Sequence, residues 1–172
     1  EIALEVLNRD GVVARLRENR DDLYIMSMPP ENLDLERHEF LPNPLVVLAP
    51  RHHALTGAGR LPLADLAEER FILREGGSGT RLACDAHFQQ QGFRPRIRME
   101  LGSNEAIKQA VVGGMGLAVL SRHAIGEALE ENGLAILDIE GFPIHASWYI
   151  VYPRGKRLSP SATAFLQQLQ AQ

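Results

Sequence analysis

Between residues 70 and 122 an apolar strand runs into a turn of small residues and straight on into a helix, and the arrangement then repeats. In the first copy RFILR leads to Gly76, Gly77, Ser78, Gly79 and Thr80, then helix formers as far as Gln91, with Gly92 placed to stop them. In the second, RPRIRMEL reaches Ser103-Asn104 and a helix that Gly113-Gly114 ends. Strands that alternate with helices predict an α/β fold whose helices cover a sheet. Each helix start also presents backbone N–H groups that have no helical acceptor, behind residues too small to block them. Such a place holds an anion. Nothing in either copy resembles bond-making chemistry.

The alternation extends in both directions. Residues 2–7 alternate as a strand, Asn8 caps a helix bearing Val12, Val13 and Leu16 on one face, and residues 23–26 form the next strand. This β-α-β order predicts parallel pairing. Residues 28–43 read as a polar, proline-bearing loop around a short strand near 35–40, and residues 45–49 as an apolar strand. Further on come a short helix over 63–68, a strand over 117–120, a helix over 124–131 closed by Gly133, and strands over 134–139 and 148–152. Ser159-Pro160 opens a last helix through Phe165, Leu166 and Leu169. The block from about 50 to 145 is self-sufficient, whereas the flanking pieces are each too small to fold alone. They are expected to close into one lobe, with the chain crossing near residues 46–50 and 146–149 and a ligand held between the lobes.

Several function classes fall away on composition. A net charge of −4 and a pI near 5.9 argue against a nucleic-acid surface on this chain. The longest apolar run, residues 111–120, is interrupted by Gly113, Gly114 and Gly116 and is too short to span a bilayer. No signal-peptide pattern opens the sequence, and the single Cys84 allows no intramolecular disulfide and suits a reducing cytoplasm. No metal is expected, because His52-His53 lack further ligands at useful spacing. No catalytic residue is assigned either: Cys84, with only Asp85 and His87 nearby in sequence, reads as a packed thiol. Arg94, Arg96 and Arg98 alternate with Ile97 and Met99 as a solvated strand edge paired with Glu100.

The ligand candidates are therefore the two helix starts. Ser78, Gly79, Thr80 and Arg81 offer hydroxyl donors, open backbone and a guanidinium able to fork onto a carboxylate or phosphate. Taken alone the turn reads first as a helix cap, and it is not a phosphate loop of the nucleotide-binding type, since no Lys-Ser/Thr follows. Ser103, Asn104 and Glu105 form the second set, read equally as cap or as ligand contact.

DDLYIMSMPPENLDL, PLVVLAPRHHAL, LREGGSGTR, RMELGSNEAIKQAVVGGMGLAVLSRHAI and WYIVYPRGKRLSPSATAFL, in that order, resemble the effector-binding domain of LysR-type transcriptional regulators. They look most like the branch that controls carbon-fixation operons. The resemblance implies a type 2 periplasmic-binding-protein-like fold, with two Rossmann-like subdomains joined by two crossover strands. On this sequence these are residues 1–46 with 147–172, and residues 47–146. It implies a co-inducer-sensing role rather than catalysis, with no cofactor, and a small anionic metabolite between the lobes. DNA would be read only by an absent N-terminal winged helix-turn-helix. A cytoplasmic homodimer, tetrameric at full length, is implied as well. It turns the Ser78–Arg81 reading toward ligand contact and adds Ser27, at a strand end where the family places a hydroxyl. Set against the resemblance, the sequence starts at the family's second effector-domain strand, without the first strand and helix. A solute-binding protein of a transporter would share the fold.

Overall fold

The computed structural model describes residues 2–171. In chain order its elements are α1 (Arg9–Arg17), β1 (Tyr24–Ser27), β2 (Leu35–Pro42), β3 (Leu45–Pro50), β4 (Arg70–Arg74), α2 (Gly79–Gln90) and β5 (Arg96–Leu101). They continue with α3 (Asn104–Val112), β6 (Leu117–Ser121), α4 (Arg122–Ile125), β7 (Leu134–Leu137), β8 (Ser147–Pro153) and α5 (Pro160–Gln170). Two compact units emerge. One takes the chain up to Pro42, the turn Gly77–Gly79 and everything from Ser147 on; the other takes Asn43–Gly76 and Thr80–Ala146.

In the first unit β8 lies between β1 and β2 and pairs antiparallel with both. The Asn8 side chain accepts from Gly11 N and starts α1, which lays Val13 and Leu16 on Tyr24, Met26, Leu35 and Val151. Burying each such side chain contributes about 1.5–3 kcal/mol. Arg15 forks onto Asp21 at 2.8 and 2.6 Å, and the Tyr24 hydroxyl donates to the Arg15 carbonyl, so the turn after α1 is tied to the helix it leaves. Pro160 at the first position of α5 is preceded by Ser159, whose Oγ accepts from Ala162 N at 3.1 Å.

The second unit holds a five-stranded mixed sheet in the order β5-β4-β6-β3-β7. β4 runs parallel to β5 and β6, while β3 is antiparallel to β6 and β7. Its middle strands are buried on both faces, which explains the uninterrupted apolar runs LVVLAP and LAVLS. On one face Ile107 and Val111 of α3 meet Val46, Leu48, Ile72, Ala118 and Leu120. On the other, Phe71 packs edge-on with Phe88 and Phe93, and Phe93 and Phe142 lie tilted against Phe88.

Four expectations are corrected. Residues 2–7 form no strand: Ile2, Leu4 and Val6 are 77%, 81% and 80% exposed, and alternation without a hydrogen-bonded neighbour does not make a ladder. The parallel β-α-β start falls with it, since among the described residues β1 pairs only with β8, antiparallel. The helix over 124–131 is replaced by α4, which begins at the Ser121 cap and ends at Gly126, whose φ of 83° leaves the helical region. The helix over 63–68 shrinks to a single 3-10 turn, Leu63–Leu66.

Candidate functional site

The glycine turn before α2 is seated on the start of α1. Gly77 takes φ 93°, a conformation that disfavours any other residue, and its carbonyl accepts from Asp10 N at 3.0 Å. A Cβ on Gly77 would stand 3.0 Å from Asp10 Oδ2. Ser78 is buried. Gly79 is the first residue of α2, and a Cβ there would overlap Ser27 Oγ, so the absence of a side chain is what lets the β1 end reach the helix start. Ser27, only 7% exposed, closes β1. Met28 then turns left-handed at φ 51°, which is uncommon outside glycine, and its carbonyl accepts from Arg9 Nε at 2.7 Å. Ser27, Ser78 and Gly79, far apart in sequence order, are thus brought together. Trp148 of β8 stands directly opposite Ser27 in the antiparallel register.

The second helix start belongs to the other unit. Ser103 caps α3 by accepting from Ala106 N at 3.3 Å. Asn104 Oδ1 accepts from Arg74 Nη1 at 2.8 Å, while Arg74 also forks onto Glu75, with both contacts at 2.9 Å. Glu105 turns back along the helix to Lys108 at 2.7 Å and Gln109 at 3.2 Å, and the Lys108 hydrogen bond holds its carboxyl below the usual range. Thr80 lies half-buried one residue into α2.

Arg81, read in the sequence as a ligand clamp, has partners within the fold. Its guanidinium meets Asp85 at 2.9 Å, Glu100 at 2.8 Å and the Arg74 carbonyl at 2.8 Å, and its side chain is 14% exposed. It ties α2 to β5 and to the end of β4. The signal was present in the sequence, since Asp85 stands at the i,i+4 position. Arg9, Arg74 and Glu75 are the polar groups at these helix starts that sequence reasoning passed over. Arg74 and Glu75 immediately precede the glycine turn, but Arg9 reaches it only through the tertiary fold.

The other candidates find ordinary partners. Cys84 is buried and that burial pushes its thiol up, away from the reactive thiolate. His53 pairs with Glu69 at 3.3 Å, and no cluster able to hold a metal occurs among the described residues. Arg96 pairs with Glu68 at 2.8 Å rather than with Glu100, and Arg98 donates to the Met115 carbonyl. A shallow depression of about 290 Å³ near Phe93 and Gly141 contains none of the candidate residues. Among the described residues no helix is long and apolar enough to cross a membrane.

Comparison with known proteins adds the family. Over 164 residues the chain is 49% identical to the RuBisCO operon transcriptional regulator of Allochromatium vinosum, covering 95% of this chain and 54% of the relative. It is 48% identical to the CcmR regulatory domain of Synechocystis PCC6803 solved in complex with 2-PG, with a TM-score of 0.95 over 99% of this chain and 82% of that one. The effector-binding domain of QuiR in complex with shikimate, at 21% identity, shares the fold with a TM-score of 0.85 over 95% of this chain and 77% of that one. The chain spans about half the length of the curated relatives it matches. The fold is the α/β, type 2 periplasmic-binding-protein-like fold of these effector-binding domains. Residues 1–172 match the LysR substrate binding domain throughout, and the chain belongs to that family.

Proposed function

We propose that this chain senses a small anionic metabolite for a transcriptional regulator of the carbon-fixation branch, and that a phosphorylated acid of the 2-phosphoglycolate kind is its first candidate effector. What carries the reading is the glycine turn seated beside Ser27 at the start of α2, in a chain 48% identical to a regulatory domain solved with 2-PG. Ser27, Ser78, Gly79 and Thr80 are assigned the donors around the anion: hydroxyls and first-turn N–H groups, reinforced by the helix dipole. Ser103 and Asn104 provide a second amide-lined start of the same design. Glu105 and Arg81 shape these starts through Lys108, Asp85 and Glu100 rather than touching the anion. The arrangement contains binding groups and no activated nucleophile, so the chain is read as a sensor and not an enzyme.

Reading DNA would fall to a winged helix-turn-helix outside these residues, in a cytoplasmic regulator working as a dimer or tetramer. Effector binding would act by shifting a conformational equilibrium. The relatives are transcriptional regulators, which favours this role over transporter solute binding. Calorimetric titration with 2-phosphoglycolate tests it. Saturable binding is expected, weakened about tenfold in Ser27→Ala, since hydrogen bonds to charged groups contribute roughly 1.5–3 kcal/mol. Undiminished binding in Ser27→Ala would remove the site from this turn.

A further inference from the structure

We propose that Arg9 supplies the positive charge of the anion site at the start of α2, and that it, rather than Arg81, selects for a phosphorylated ligand. The assignment rests on the reading of that site given above. Ser27, Ser78 and the first-turn amides are neutral donors, so a cation beside them would sharpen the discrimination between a dianion and a monoanion. Three basic side chains near the two helix starts already face carboxylates: Arg81 meets Asp85 and Glu100, Arg74 forks onto Glu75, and Lys108 pairs with Glu105.

Arg9 is placed otherwise. Its Cβ lies 3.7 Å from where a Gly79 Cβ would stand, the same point that Ser27 Oγ crowds, so arginine, serine and helix start converge on one spot. Its Nε is fixed by the Met28 carbonyl at 2.7 Å, which lays the guanidinium across the end of β1. The one carboxylate it meets among the described residues is Asp10, at 3.5 Å from Nη1, and the Asp10 side chain is 68% exposed, so water screens that pair. The Arg9 side chain itself is 19% exposed. With Nε on Met28 and Nη1 only loosely on Asp10, the planar fork keeps its Nη2 edge for a phosphoryl group. Ser27 points the same way: 93% buried by its 7% exposure, it makes no side-chain hydrogen bond among the described residues and directs Oγ at the α2 start.

The test titrates the protein calorimetrically with 2-phosphoglycolate and with glycolate, in the unmodified form and as Arg9→Gln and Arg9→Lys, with a thermal melt of each. Arg9→Gln is expected to weaken 2-phosphoglycolate at least about tenfold and glycolate less than about threefold, as a charge-assisted hydrogen bond demands. Arg9→Lys, which keeps the charge without the fork, should fall between and confirm that the variants fold. A loss equal for both ligands, or Arg9→Gln binding within about twofold of the unmodified protein, overturns the Arg9 assignment alone. If the unmodified protein binds neither anion, the site reading itself fails and the Arg9 assignment goes with it.

Discussion

A missing methyl group decides the geometry at Gly79. Its backbone sits where any side chain would strike Ser27 Oγ. Gly79→Ala should therefore rotate or displace that hydroxyl and lower 2-phosphoglycolate affinity at least about tenfold by calorimetry, with a thermal melt separating this from any loss of stability. Unaltered affinity would show that the close approach has no part in binding. Some of this was legible in the sequence: small residues between strand and helix announce an open helix start, and Ser78 and Gly79 lie where that logic puts them. Ser27 came only through the family resemblance, because a serine ending a strand has no distinctive local signal. Arg9 left no trace at all, being drawn to Gly79 by packing between segments 70 residues apart in the numbering. Arg81 shows the converse: its place at the helix start was plain in the sequence, whereas its ion pair with Glu100 was not.

At the level of elements, two helices with a clear N-cap formed where the sequence predicts. α3 runs Asn104–Val112 behind its Ser103 cap, and α5 begins at Pro160 after Ser159. Residues 2–7 did not form the expected strand: their alternation is real, but their backbone pairs with nothing among the described residues. α2 carries a buried weakness of its own. His87 packs edge-on against Phe142 with ring centroids 4.9 Å apart, its Nε2 has no hydrogen-bond partner, and a Gly141 Cβ would sit 3.1 Å from it. Burial lowers its pKa from 6.5, so the folded state prefers the neutral ring. The unfolded chain then binds the proton more readily, and the stability this group contributes is present above 6.5 and is lost as pH falls below it. Melting temperature should decline between about pH 7 and about pH 5, and decline less in His87→Gln. Parallel curves for the two proteins would show that the ring titrates freely.

Over the whole molecule, apolar residues divide into those that hold the two units and those that hold nothing. Leu120 is fully buried among Val46, Leu48, Ile72 and Ile107, whereas Leu4 is 81% exposed. Chemical denaturation should therefore show Leu120→Ala costing about 2–5 kcal/mol and Leu4→Ala less than about 0.5 kcal/mol. A comparable loss at Leu4 would mean that residues 2–7 pack after all. The chain's α/β character was readable in the alternation of apolar runs and helix formers. Runs such as LVVLAP and LAVLS announce strands covered on both faces, but nothing local indicates that Gly77–Gly79 joins the unit built from the two ends of the chain.

Trp148 is the chain's single tryptophan, and it stands across the ladder from Ser27. Directly opposed residues of an antiparallel pair project from the same face. The protein thus contains a native fluorophore beside its candidate effector serine, and the colour and intensity of its ultraviolet emission become a label-free gauge of occupancy, undiluted by any second indole.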